Sequence, residues 1–314
     1  MLPVLSKYIF PKYWIIICLA VICFFVSCRG LIEKKDKSLT VNNHEQPELK
    51  LHIHQLDDQL RENSGIILYR SYLWTINDSG GKPVLYAVHP KTGTIIQSVY
   101  IVNAKNHDWE DVAQDSNHIY IGDFGNNNLT RKVLFVYIIN KGDIPLHGNK
   151  ILEAETISFS YAGMPGSRAG KNRVSVDCEA FFAWNDTLYL FSKDRYHQTT
   201  TFYLLEAKPG KYTVTPEKIY PSDGLITGAD ISKDGKFVVL SGYKEHLPFL
   251  LIFYDIQIPN IFSAKMNRLE FPDYFGLQTE GVAIQSPEII FISSERTSFP
   301  PQVYSIDLTG IIGE

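Results

Sequence analysis

Three glutamates, Glu110, Glu179 and Glu280, each stand two residues ahead of an apolar strand anchor (Val112, Phe181 and Val282). Asp111 and Asp230 occupy the next column along, one residue ahead of Val112 and Ile231. Carboxylates brought together at one place repel one another unless something positive neutralises them. A bound Ca²⁺ with oxygen ligands would do so. Lys193, Arg195 or Arg296 reaching inward would do so as well. Alternatively each acid accepts backbone N–H bonds from a neighbouring element and simply fixes the fold. Adjacent columns on a strand point to opposite sides, so the pattern predicts that only one column lines a shared channel.

A second set of polar residues follows the next strand of each repeat. It comprises Asn77 and Asp78, then Asp123, then Lys193 and Arg195, then Glu295 and Arg296. Together with Asp108 and Trp109, which precede Glu110, these are the candidate ligand-binding face. Other motifs carry less. The triplet Asp123-Phe124-Gly125 has none of the glycine-rich loop, strand lysine or catalytic-loop partners of a kinase, and reads as a turn with Asn126-Asn127-Asn128. Ser167 lacks the strand-to-helix context of a nucleophile elbow, and no Ser–His–Asp set can be placed. His52 and His54 share one strand face and read as solvated; Cys178 reads as a lone buried thiol.

These residues are positioned by a repeat. First-strand anchors Ile66, Val112, Phe181, Ile231 and Val282 are each followed, 7 to 9 residues later, by Trp74, Tyr120, Tyr189, Val238 and Phe291. Third runs centre near Tyr86, Tyr137, Tyr203, Phe253 and Tyr304. Strand repeats at this period predict an all-β propeller in which one repeat is one sheet. Five blades are counted. Six is the alternative, and the sixth would have to hide in the patternless stretch Ala162–Val176. Leu49, Leu51 and Ile53 alternate with polar residues ahead of the first repeat, while the last repeat lacks an outer strand. An N-terminal strand is therefore expected to close the ring.

The 314 residues carry a net charge of −4, which offers no electrostatic case for nucleic acid. Residues 1–28 read as a lipoprotein signal peptide: Lys7 and Lys12, then an uncharged run from Trp14 to Val26, ending in Phe25-Val26-Ser27-Cys28. That ending resembles the lipobox of bacterial lipoproteins and implies acylation at Cys28. Residues 29–48 are polar and read as a flexible tether, leaving 49–314 as the propeller domain.

Asn77-Asp78-Ser79-Gly80 with Leu85-Tyr86, Asp108-Trp109-Glu110-Asp111-Val112-Ala113, Ile119-Tyr120-Ile121-Gly122-Asp123 and Glu280-Gly281-Val282-Ala283 resemble uncharacterised bacterial envelope β-propeller lipoproteins. More remotely, Glu280-Gly281-Val282-Ala283 with the later Ser294-Glu295 is similar to esterase-like phytase propellers. That likeness implies calcium and phosphate-ester chemistry, but the dense Lys/Arg cluster of such sites is reduced here to Lys193, Arg195 and Arg296. The expected function is a membrane-anchored, extracytoplasmic binding or scaffolding module for a protein or glycan partner. The alternative is a Ca²⁺-assisted hydrolase of phosphate or carboxylic esters, with Lys193 or Arg296 polarising the substrate.

Overall fold

Half-buried runs of aromatic and β-branched residues, broken by tight turns, form five antiparallel meanders arranged around one axis. The computed structural model describes residues 51–163 and 174–309. The proposed signal peptide, its Cys28 and the tether lie outside the described residues. β1 (Leu51–Gln55) precedes the repeats. Blade one is β2 (Asn63–Tyr69), β3 (Tyr72–Asn77), β4 (Val84–Val88) and β5 (Ile95–Ile101). Blade two is β6 (Trp109–Gln114), β7 (His118–Asp123), β8 (Leu134–Asn140) and, after the short β9 (Lys150–Leu152), β10 (Glu155–Tyr161). Blade three is β11 (Cys178–Trp184), β12 (Thr187–Ser192), β13 (Thr200–Glu206) and, after β14 (Gly210–Val214), β15 (Pro216–Tyr220). Blade four is β16 (Leu225–Ile231), β17 (Phe237–Lys244), β18 (Leu247–Tyr254) and β19 (Lys265–Glu270). Blade five is β20 (Thr279–Ile284), β21 (Ile289–Ser294) and β22 (Gln302–Asp307).

The missing outer strand of blade five is β1, which pairs antiparallel with β22 from Leu51↔Ile306 to Gln55↔Gln302. First and last repeats are thereby joined, and the exposed edge of β22 is covered. The alternation in β1 buries less than expected: Leu51 packs on the core, but Ile53 is exposed because no other described strand covers the outermost one. Blades one and two gain a fifth strand each, since β9 pairs parallel with β5 and β14 with β10. Every described strand belongs to one of five sheets.

Five hydrophobic cores lie between the blades. Trp74, Trp109 and Ile121 pack between blades one and two; Phe181, Tyr203 and Phe159 between two and three. Phe191, Phe249 and Phe253 fill the next gap, Ile252, Ile292 and Leu269 the fourth, and Leu60, Ile66 and Phe291 the fifth. Burying each such side chain is worth about 1.5–3 kcal/mol. This wedge packing holds the inner strands in a ring and fixes where their ends point.

One irregularity recurs in every blade. The pairing of the inner strand with its neighbour slips by one residue at Gly65, Glu110, Glu179, Thr227 and Glu280. A β-bulge at the same place in all five inner strands re-aims the side chains there.

Candidate functional site

The bulges lie at the upper mouth of the central channel, where inner strands begin and second strands end. Three of the five bulged residues are Glu110, Glu179 and Glu280, all at least nine-tenths buried. The acidic column is thus a set of equivalent bulge positions, and it converges. Lys193, at the end of β12, reaches into its centre, with Nζ 2.5 Å from Glu179 Oε2. Burial acts to lower the lysine's pKa, but the fields of Glu179, Glu110 and Glu280 outweigh it and hold the ammonium charged. The other oxygen of Glu179, Oε1, is buried without a hydrogen-bond partner among the described residues.

Burial, then repulsion from Glu179 and Asp78, pushes Glu110 far above the usual carboxylate range. Burial also lifts Glu280, against the attraction of Lys193. One lysine therefore faces more carboxylates than it can neutralise.

Glu110 belongs to a tighter group as well. One carboxylate oxygen from each of Asp78, Asp108 and Glu110 lies within 4.8 Å of the others. Asp78 follows β3, and its carboxylate accepts the Ser79 N–H. Desolvation raises it to about 6 despite that bond. Asp108 is also raised, by burial against the attraction of Arg131. Gly125 makes room for the group: a Cβ there would stand 2.0 Å from Glu110 Oε1 and 2.5 Å from Asp108 Oδ2. Glu295, at the rim, is lifted to about 7 by burial and by Glu62 and Asp78.

Three oxygens at this spacing, a cradle that any side chain at Gly125 would fill, and an unpartnered buried Glu179 oxygen beside Glu110 fit a hard divalent cation. Such an ion takes carboxylate oxygens at 2.3–2.6 Å when it is Ca²⁺.

The remaining candidates separate. Asp111 does not join the group. Its Oδ1 accepts the N–H of Val112 and its Oδ2 that of Phe181 on the next blade, at 2.8 and 3.0 Å. Asp230 does the same with Ile231 and Ile284, at 2.8 Å each. Both carboxylates staple adjacent inner strands. They are not equivalent positions either: Asp111 follows its bulge by one residue and Asp230 by three. The expectation that only one column can face the channel fails at Glu110 and Asp111, because the bulge interrupts the alternation and both turn inward at different depths.

Trp109 is fully buried between blades one and two, donating its indole N–H to Lys105 O at 3.0 Å, so it lies off the proposed face. Asp123 accepts from Arg131 Nη2 at 2.7 Å and is bonded to His107 Nδ1 at 3.1 Å. Asn77 donates to Gln59 O at 2.8 Å. Arg296 turns away to Asp58, and Arg195 donates to Asn127 Oδ1 at 2.9 Å, so of the three expected cations Lys193 is the one that reaches the glutamates.

Asp177 belongs to this neighbourhood. It accepts the Asn126 N–H at 2.7 Å, and its pKa is raised by burial. It sits two residues ahead of Glu179 as Asp108 does ahead of Glu110, a correspondence visible in the sequence. Arg131 has no equivalent in other repeats and left no such signal. His52 and His54 line a groove with His89, but the acidic group above is the one set of three metal-capable ligands within reach of each other among the described residues. Cys178 is buried, with its thiol pushed up by desolvation.

No family model matches the chain, and no curated protein matches it. Solved structures similar to it include the PQQ-bound aldose sugar dehydrogenase of Streptomyces coelicolor, at 10% identity and a TM-score of 0.44, covering 83% of this chain and 99% of that one. The soluble aldose sugar dehydrogenase of Escherichia coli in its apo form gives 9% and 0.43, over 82% and 99%. A nidogen/laminin complex gives 10% and 0.44, over 79% and 76%. A likeness at this level says nothing about chemistry.

Proposed function

We propose that this protein is an extracytoplasmic, membrane-anchored binding propeller, acylated at Cys28, whose upper axial mouth takes a divalent cation of the Ca²⁺ kind. One observation carries the cation: the oxygens of Asp78, Asp108 and Glu110 within 4.8 Å of one another, beside a buried Glu179 oxygen that has no hydrogen-bond donor among the described residues. The ion would neutralise charge that Lys193 alone leaves uncompensated and would rigidify the mouth. The surrounding rim, with Asn77, Arg195 and Glu295, would present it to a protein or glycan. The anchor rests on the sequence pattern ending at Cys28. The resemblance to envelope propellers agrees with it.

The hydrolytic alternative asks Lys193 or Arg296 to polarise a substrate. Lys193 is paired with Glu179 and Arg296 with Asp58, which favours binding over turnover.

Melting of the full-length protein in Ca²⁺ and in EDTA tests the cation. The midpoint should rise in Ca²⁺, and Asp78→Asn with Asp108→Asn should abolish the rise. A wild-type midpoint indifferent to both additions contradicts the proposal. For the anchor, Cys28→Ala should abolish lipid labelling, and a normally labelled product would refute it.

A further inference from the structure

The lower mouth of the same channel is a cavity of about 910 Å³, walled by the ends of all five inner strands and the turns that follow them. Its charged groups divide into two kinds. The acids are mostly occupied. Asp115 accepts from the N–H groups of Asn117 and His118 at 2.7 and 2.6 Å and from the Tyr120 hydroxyl at 2.6 Å. Both oxygens of Asp230 hold backbone N–H groups. Asp186 is exposed on the outer rim.

The cations keep donors to offer. Lys141 gives two of its three to Gln114 Oε1 and Asp115 O, at 2.8 and 2.5 Å, with its Nζ 4.7 Å from the centre of the Tyr69 ring. Arg70 uses Nη1 on Ile144 O and Pro145 O. Lys233 is exposed and donates no side-chain hydrogen bond among the described residues. Burial lowers the Lys141 ammonium to about 8, against the attraction of Asp115 and reinforced by Lys233 and Arg70. A negative partner in the cavity would reverse that.

We infer that the lower mouth is a second binding site, for a small oxyanion-bearing molecule held by Lys141, Lys233 and Arg70, with Tyr69 and Trp184 as its aromatic wall. Phosphate and carboxylate share the chemistry those three cations recognise. The inference is independent of the cation at the opposite mouth.

The full-length protein, freed of metal on a chelating resin, is titrated calorimetrically with inorganic phosphate and, separately, with citrate, against chloride at matched ionic strength. Saturable binding of either oxyanion is expected, and the arm that binds identifies phosphate or carboxylate. Lys141→Gln with Lys233→Gln should weaken it at least roughly tenfold, the effect of one lost charge-assisted bond. Lys233→Gln alone, at an exposed turn position, should weaken it in the same direction if the Lys141 change disturbs folding. Lys208→Gln with Lys265→Gln removes equal charge elsewhere and should leave binding unchanged. No binding beyond chloride, or equal weakening by the distant pair, would overturn the inference.

Discussion

The two mouths of one channel use acidic side chains in different ways. At the lower mouth, Asp115 and Asp230 have backbone N–H groups aimed at them. Against partial burial, the hydrogen bonds to Asp115 hold it below the usual carboxylate range, while burial still lifts Asp230 to about 7 against its two N–H bonds. At the upper mouth, Glu110, Glu179 and Glu280 stand on bulges, where the regular ladder is interrupted, and receive one lysine among them. Backbone donors let a buried acid serve as a structural staple and offset part of the cost of burial; with fewer donors the demand for a proton or a cation is greater. The difference comes from the local backbone and from burial together, since Asp115 is only partly buried while the three glutamates are at least nine-tenths buried.

The comparison can be broken most sharply at Lys193. Lys193→Gln removes one partner of a buried ion pair and should destabilise the protein by about 3–5 kcal/mol in EDTA. It should also tighten Ca²⁺ binding, because a competing positive charge has gone. Denaturant melts with and without Ca²⁺ separate the two effects, and unchanged stability in EDTA would mean that the pair is not closed.

Asp111→Ala leaves the N–H groups of Val112 and Phe181 without their acceptor, at about 1–3 kcal/mol for each buried group left unmade. This loss should be the same in Ca²⁺ and EDTA, which distinguishes a staple from a ligand. A calcium-dependent loss would place Asp111 in the ion site.

For the wild type, Ca²⁺ at a hundredfold excess over its dissociation constant should add about 2.7 kcal/mol to stability. Glu110→Gln should reduce that gain while keeping the fold, since a neutral amide relieves the repulsion from Glu179 and Asp78.

The pH dependence follows from the raised carboxyls. Asp78 moves from 3.8 to about 6 and Glu295 from 4.5 to about 7, and burial raises Glu110 and Glu280 as well. The native state therefore holds protons that the unfolded chain has released. In EDTA the stability these protons supply is fully present below about pH 4 and drains away as pH rises through 6 and 7. Calcium should flatten that decline. Smallest of all, Arg296→Gln breaks an exposed pair with Asp58 and should cost below about 1 kcal/mol without changing cation binding. A larger change in binding would bring Arg296 back into the site.

The blades and the closing strand were legible because their signals are local: period-2 burial, tight turns and constant spacing. The glutamate column was legible for the same reason, since the bulge falls at an equivalent point in every repeat. Asp230 aligned with Asp111 in the sequence pattern because Ile231 is the more strongly apolar anchor; counted from the bulge, the counterpart of Val112 is Ala229, two residues earlier. Trp109 sits among polar neighbours, and only the packing of blade one against blade two shows that it is core. Lys141 comes from beyond the third strand of blade two and lines the lower cavity with its ammonium over Tyr69, an approach no column of repeats records.

If the upper acids hold protons until a cation displaces them, cation binding must release those protons. Calorimetric titration of the full-length protein with Ca²⁺ near pH 6, in two buffers of different ionisation heat, counts those protons directly. Saturable binding with net proton release, lost in Asp78→Asn with Asp108→Asn, is the predicted result. Binding with the same heat in both buffers, or no binding, would contradict it.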